Sequence, residues 1–119
     1  MRYTKSVKTV RGALNRIESL IKQGWTTETA ARDKNDVSVS VWEPQAVKFC
    51  LFGAVLAAKA HPLDLSLDVV QALDKQIRKD YKNRSLKDKN DAQLLVAWND
   101  KVAKDKKEVL NLIRKAKND

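Results

Sequence analysis

The chain has few of the residues that staple small folds or do chemistry unaided. One cysteine in 119 residues permits no internal disulfide and argues against a secreted, cross-linked scaffold. One histidine, His61, cannot supply a convergent His/Cys metal centre. The three glycines, Gly12, Gly24 and Gly53, are isolated, so there is no glycine-rich phosphate loop and no serine hydrolase elbow. Three glycines and two prolines are also few for an all-β protein and suit helices. No apolar run approaches the roughly 20 residues that span a bilayer. The first residues, Met-Arg-Tyr-Thr-Lys-Ser-Val-Lys, lack an apolar signal core. No lipidation motif is present. A cytoplasmic protein with no membrane segment is expected.

What is present is charge and helical periodicity. A length of 119 residues corresponds to one domain, residues 1–119, large enough to bury a core without disulfide or metal. Hydrophobic content is 43% and charged content 33%, as in a globule with a highly charged surface. The net charge of +9 is uneven: residues 1–42 carry +4, residues 43–68 carry −1 and residues 69–119 carry +6. A surface so basic favours anionic partners, either an acidic protein or nucleic acid. Seventeen of the 24 basic residues are lysine, the more solvated and less specific cation.

The centre of the chain is Val47 to Ala58, where Lys48 is the only charge and apolar residues fall on every face. A helix apolar all round and too short for a membrane belongs inside a bundle. The expected fold is mainly α: a compact bundle of about five helices around a buried central helix at 44–60, with one small β-hairpin at about 29–41. Pro44 suits the first turn of the central helix, and His61-Pro62 ends it. Gly53 in mid-helix is unfavourable by about 1 kcal/mol, and close approach of another helix would account for it.

Val7, Val10, Leu14, Ile17 and Ile21 make the stripe of a first amphipathic helix, 6–23, with Ser6 as N-cap and Gly24 as its stop. Val37, Val39 and Val41 alternate with serines, a period of two that pairs with 29–32 across a turn at 34–36. Ser66 caps a helix at about 67–82, whose buried stripe is Leu67, Val70, Leu73, Ile77 and Tyr81. A short helix runs from Asp91 to Trp98. Asp105 and Glu108 have capping-box spacing and open a last helix that buries Val109, Leu112, Ile113 and Ala116.

Little of this carries catalysis. Cys50 and His61 lie eleven residues apart, roughly 16 Å along a helix axis, whereas a nucleophile and its base need about 3 Å. No catalytic residue, cofactor or metal is expected. Two polar features remain. The first is a basic ridge of Lys75, Arg78, Lys79 and Lys82 on one helix face, with Lys8 and Arg11 secondary. It suits a phosphate backbone or an acidic protein surface. Specific base readout would need Arg, Asn or Gln at base edges, and only Arg78 and Gln71 are of that kind. The second is a possible small-molecule pocket or enzymatic site around Arg32, Asp33, Trp98, Asn99 and Asp100, an aromatic wall with convergent polar groups.

Gly24-Trp25, Ala31-Arg32-Asp33, Ala46 through Ala54, Trp98-Asn99-Asp100 and Glu108-Val109-Leu110 occur in that order. The pattern resembles a family of small bacterial and phage proteins known only as a domain of unknown function, over about residues 7–116. The resemblance implies no activity; it implies a small cytoplasmic or phage-encoded accessory protein. The expectation for function is therefore a non-enzymatic accessory or inhibitory protein that docks its basic ridge on an acidic protein partner. Weakly sequence-specific nucleic-acid binding through the same ridge is the alternative.

Overall fold

The computed structural model describes residues 3–82 and 84–118. The chain is mainly helical, with one small two-stranded antiparallel sheet, as its periodicities predict. In order the elements are α1 (Val10–Gln23), β1 (Ala31–Arg32), β2 (Lys48–Phe49), α2 (Leu51–Ala57), α3 (Leu63–Asp80), α4 (Asp91–Ala97) and α5 (Lys106–Asn118). Short 3-10 and π-helical turns occupy Arg84–Leu86 and Trp98–Val102.

α1 begins later than position 6. The N-cap is Thr9, whose Oγ1 accepts from the Gly12 amide at 3.0 Å. Val7 is extended and bridges in parallel to Ala60, so its backbone is committed elsewhere. The helix buries Ala13, Leu14, Ile17, Leu20 and Ile21, the stripe its spacing implies. It stops at Gly24, where a Cβ would lie 2.6 Å from the Val47 carbonyl oxygen; only a glycine lets the chain entering β2 pass this closely.

The central helix is shorter than 44–60. α2 has seven residues, of which Leu51, Gly53, Ala54, Val55 and Ala57 are buried. The stretch before it is extended. Ala31 and Arg32 pair with Phe49 and Lys48, while residues 37–39 lie along the other side of β1 through Arg32–Ser38 bridging and a Val39 N–H to Ala31 carbonyl bond of 3.0 Å. The expected strand partner is thus alongside β1, and the fuller pairing is with residues that hydropathy alone assigned to helix. Lys48, the one charge in that run, reaches Asp36 in an ion pair, which an extended backbone permits. Gly53 is explained by this arrangement. A Cβ there would lie 2.1 Å from the Ala30 carbonyl oxygen, so the close neighbour is the chain leading into β1 and not a helix.

α3 starts at Leu63, with Pro62 as its N-cap and no side-chain capping bond. Ser66 lies inside the helix and donates to the Ala60 carbonyl at 3.4 Å. Val69, Val70, Leu73 and Ile77 are buried, but Leu67, expected in the stripe, is 52% exposed. α4 opens on a complete capping box between Asn90 and Gln93. Asp105 caps α5 by accepting from the Glu108 amide at 2.9 Å. Glu108 closes back on the Lys104 amide at 2.8 Å, one residue before the capping-box position. α5 buries Val109, Leu110, Leu112, Ile113 and Ala116, and it is tied to α1 by Glu18, which accepts from Arg114 at 2.7 Å and Lys117 at 2.5 Å. The core lies where α1, α2, α3, α4 and α5 pack together, and Trp98, 0% exposed, is among its largest fully buried side chains.

Candidate functional site

Two clusters singled out by sequence are placed in different ways. Of the first, Trp98 and Asn99 are buried, and both belong to the π-helical turn that follows α4. The wide turn closes with the Ala103 amide on the Trp98 carbonyl at 2.8 Å. Asn99 works as a four-way tie. Its Oδ1 accepts from Trp25 Nε1 at 2.8 Å and from the Leu51 amide at 3.0 Å. Its Nδ2 donates to the Thr26 carbonyl at 3.1 Å and to Asp100 Oδ1 at 2.9 Å. Asp100 also accepts from the Glu28 amide at 3.0 Å. One buried amide thus joins the start of α2, the loop after α1 and the end of α4.

Arg32 holds the other end of that loop. Its Nε donates to Thr26 Oγ1 at 2.7 Å, and its guanidinium reaches the carbonyls of Asp36 at 2.9 Å and Thr27 at 3.2 Å. Arg32 and Asn99 therefore meet through Thr26. Asp33 does not join them; it accepts from the amides of Asn35 at 2.8 Å and Val37 at 2.9 Å and shapes its own turn. The polar groups of Arg32, Asp33 and Asn99 are spent on backbone and on neighbouring side chains within the fold, as structural ties are. Asp100 also borders an open groove of about 780 Å³ beside α4, together with Arg84, Gln93 and Lys101. Trp98 Nε1 is buried without a hydrogen-bond partner among the described residues. The Trp98 ring packs edge-on against Tyr81, with centroids 5.4 Å apart, and Tyr81 Oη donates to Glu108 at 2.6 Å. Burial and this carboxylate push the Tyr81 hydroxyl well above the usual tyrosine range.

Cys50 is a packing residue. It is buried, its Sγ accepts from the Gly53 amide at 3.2 Å as the cap of α2, and desolvation raises its pKa. A thiol held protonated is a poor nucleophile. No group of three or more His, Cys, Asp or Glu among the described residues could hold a metal ion.

The basic ridge occupies the C-terminal half of α3. Lys75, Lys79 and Lys82 are exposed. Arg78 differs from its neighbours. Its Nε donates to Asp74 at 2.9 Å and its Nη2 to the Lys89 carbonyl at 2.7 Å, so it pins the loop before α4 onto α3. Asp74 is buried, and its carboxyl is pushed up to about 6, first by desolvation and then by the neighbouring Asp91, against the pull of Arg78. Lys82 donates to the Arg78 carbonyl at 3.3 Å. Beyond the helix the ridge turns a corner into a concavity of about 320 Å³ bordered by Arg78, Tyr81, Lys82, Arg84, Leu86 and Lys87. Its border has four cations and no carboxylate. Arg84 and Lys87 lie beyond α3, where the run of positive charge past position 82 extends the ridge into the next loop. Of the secondary residues, Lys8 is exposed and precedes α1, and Arg11 donates to the Lys117 carbonyl at 3.1 Å.

No helix of the described chain is long and apolar enough to cross a membrane. In comparison with known proteins, residues 5–119 match the model of a family described as of unknown function, DUF6197. No curated protein and no solved structure matches the chain.

Proposed function

We propose that this chain, which belongs to the DUF6197 family of unknown function, is a small non-enzymatic binding protein that docks the basic end of α3 on an acidic surface of a protein partner. The observation that carries the reading is the acid-free concavity between Arg78, Lys82, Arg84 and Lys87, continuous with exposed Lys75 and Lys79. Four cations around one concavity with no carboxylate on its border raise the local potential and steer an oppositely charged partner. The apolar floor from Tyr81 and Leu86 suits a protein side chain better than a bare phosphate backbone. Exposed stacking aromatics, which single-stranded nucleic acid would use, do not border it. An accessory or inhibitory role in the cytoplasm, of the kind a bacterial or phage-encoded chain of this size would supply, fits such a face.

The test is a fourfold reversal, Lys75→Glu, Lys79→Glu, Lys82→Glu and Arg84→Glu. Arg78 is left in place because it holds the loop. Affinity capture with the native and reversed chains is set beside fluorescence anisotropy of labelled duplex DNA and single-stranded RNA from about 50 to 200 mM salt. Supporting outcomes are a protein captured by the native chain and lost on reversal, with no nucleic-acid binding at the low-salt end. Capture unaffected by the reversal overturns the site. Nucleic-acid binding that falls steeply with salt, and is lost on reversal, overturns the protein-partner reading in favour of a phosphate backbone.

A further inference from the structure

The concavity at the end of α3 has a neighbour. Arg84 also borders the groove of about 780 Å³ beside α4, and the segment 84–89 forms the wall that the two depressions share: Leu86 and Lys87 border the first, Asp88 and Lys89 the second. The groove adds an apolar strip. Ala92 and Val96, four residues apart and so on one face of α4, both border it, and Val96 is 40% exposed. Its charges lean the same way as those of the concavity, with Arg84, Lys89 and Lys101 against Asp88 and Asp100. Asp100 is already engaged, since its Oδ1 accepts from Asn99 and from the Glu28 amide. A third depression, of about 580 Å³ on the other side of Tyr81 between α3 and α5, differs in kind. There the cations have their acids: Lys115 pairs with Asp80 at 3.2 Å and Arg114 with Glu18 at 2.7 Å.

We infer that the acidic partner is held as an extended segment, with apolar side chains between its carboxylates, that crosses Arg84 from the concavity into the groove along α4. The inference rests on the acidic-partner reading above and adds a second surface to it. Shape decides against a flat, rigid partner. Such a face would rest on the wall at 84–89 and leave the depression on either side unfilled. An extended chain drops successive side chains into both, because it advances about 3.3 Å per residue and sends alternate side chains to the same side. Charge decides the composition. A carboxylate laid over Arg84 has the cations of both depressions around it, whereas a lysine or arginine there would meet like charge. The strip of Ala92 and Val96 takes an apolar side chain, the kind of anchor that fills the core of an interface.

The test uses the full chain and two labelled peptides of about ten residues, each able to span roughly 30 Å when extended. One carries leucines between pairs of glutamates; the other has serines in place of the leucines. Fluorescence anisotropy is read at about 0.15 M salt, which screens loose long-range attraction. The leucine peptide is expected to bind, and the serine peptide to bind more weakly by about tenfold or more. Arg84→Glu is expected to weaken the leucine peptide by about tenfold or more. So is Val96→Asp, which puts a like charge in the groove and does not border the concavity. Leu63→Asp makes the same change of net charge at the opposite end of α3 and should leave the affinity within about twofold. All three positions are exposed, so far-UV circular dichroism should not change. Loss with Arg84→Glu but native affinity with Val96→Asp overturns the path into the groove and leaves the acidic-partner reading standing. Equal affinity for the two peptides overturns the apolar anchors, and with them the inference. Binding that Arg84→Glu leaves untouched overturns both. No binding of the leucine peptide up to about 1 mM overturns the inference, and the capture experiment above then decides the partner reading by itself.

Discussion

Asn99 is the residue whose removal the fold should feel most. Asn99→Ala deletes both ends of the tie at once. Trp25 Nε1, the Leu51 amide and the Thr26 carbonyl each lose a partner, while Asp100 retains the Glu28 amide. A buried polar group left unpaired costs about 1–3 kcal/mol. The Leu51 amide lies in the dry interior and takes the high end of that range. Trp25 and Thr26 are partly reached by water, which replaces most of what they lose. With the small cavity left behind, the sum is about 3–5 kcal/mol, a large share of the roughly 5–15 kcal/mol that holds a domain together. At about 4 °C per kcal/mol for a chain of this length, thermal unfolding followed by circular dichroism should move down by about 12–20 °C. Trp25→Phe keeps a six-membered aromatic ring but removes the Nε1 donor and the rest of the indole, so it should cost about 1–2 kcal/mol, less than Asn99→Ala.

Asn99→Asp separates hydrogen bonding from packing. The new carboxyl preserves the acceptor oxygen but loses the donor, and it sits beside Asp100 and the Thr26 carbonyl. Its folded-state pKa must therefore lie above the unfolded value of about 3.9. Protonation restores a donor, so the deficit against the native chain is full at pH 8 and shrinks as pH falls through the raised value. A loss under about 1 kcal/mol for Asn99→Ala, or a pH-independent deficit for Asn99→Asp, would refute the reading of Asn99 as the fold's central tie.

The remaining predictions concern two carboxylates with opposite pH signs. Glu18 is held below the ordinary 4.5 by the hydrogen bond from Lys117 and, after a desolvation penalty, by Arg114. Its contribution is present above the unfolded pKa and lost as pH falls through the folded one, so Glu18→Gln should cost about 1 kcal/mol at pH 7 and nothing at pH 2 in urea melts. Asp74 is raised from 3.8 to about 6 by burial and by Asp91. Its contribution is complete below the unfolded value and lost as pH rises through about 6. Asp74→Asn should therefore stabilise the chain by about 1 kcal/mol or more at pH 8 and leave it unchanged near pH 3.5; equal stabilities at pH 8 would refute the carboxyl–carboxyl conflict.

Helices were legible because their faces are one-sided. The stripes of α1 and α5 follow from spacing alone, as does the five-helix count. The family resemblance over most of the chain was legible too: a model of a family of unknown function spans residues 5–119, where about 7–116 was expected. What hydropathy could not resolve was the stretch before α2. An apolar run of a few residues reads the same as buried helix or buried strand, and the deciding contact, Ala30 against Gly53, joins positions 23 residues apart. The tie that Asn99 makes was hidden in the sequence for a related reason. A Trp-Asn-Asp triplet looks the same at the wall of a pocket and at a buried crossing of three segments. Only the positions of Thr26 and Leu51 tell the two apart, and neither is near it in the chain.

The same limit bears on α3. A wheel treats all five turns of this 18-residue helix as if one environment surrounded them, yet its two ends face different things. The first turns carry uncovered leucines in a near-neutral setting, and the last carry cations that run into the loop. Leu63 and Lys79 are sixteen positions apart, about 24 Å along the axis. Substitutions that far apart with no shared partner act independently. The two ends are therefore separable by mutation: a change at Leu63 leaves the basic concavity untouched, and a charge reversal at Lys79 leaves the exposed leucines untouched. A single helix is thus anchored through its buried middle by the core, with an apolar first end and a basic last end both exposed to solvent.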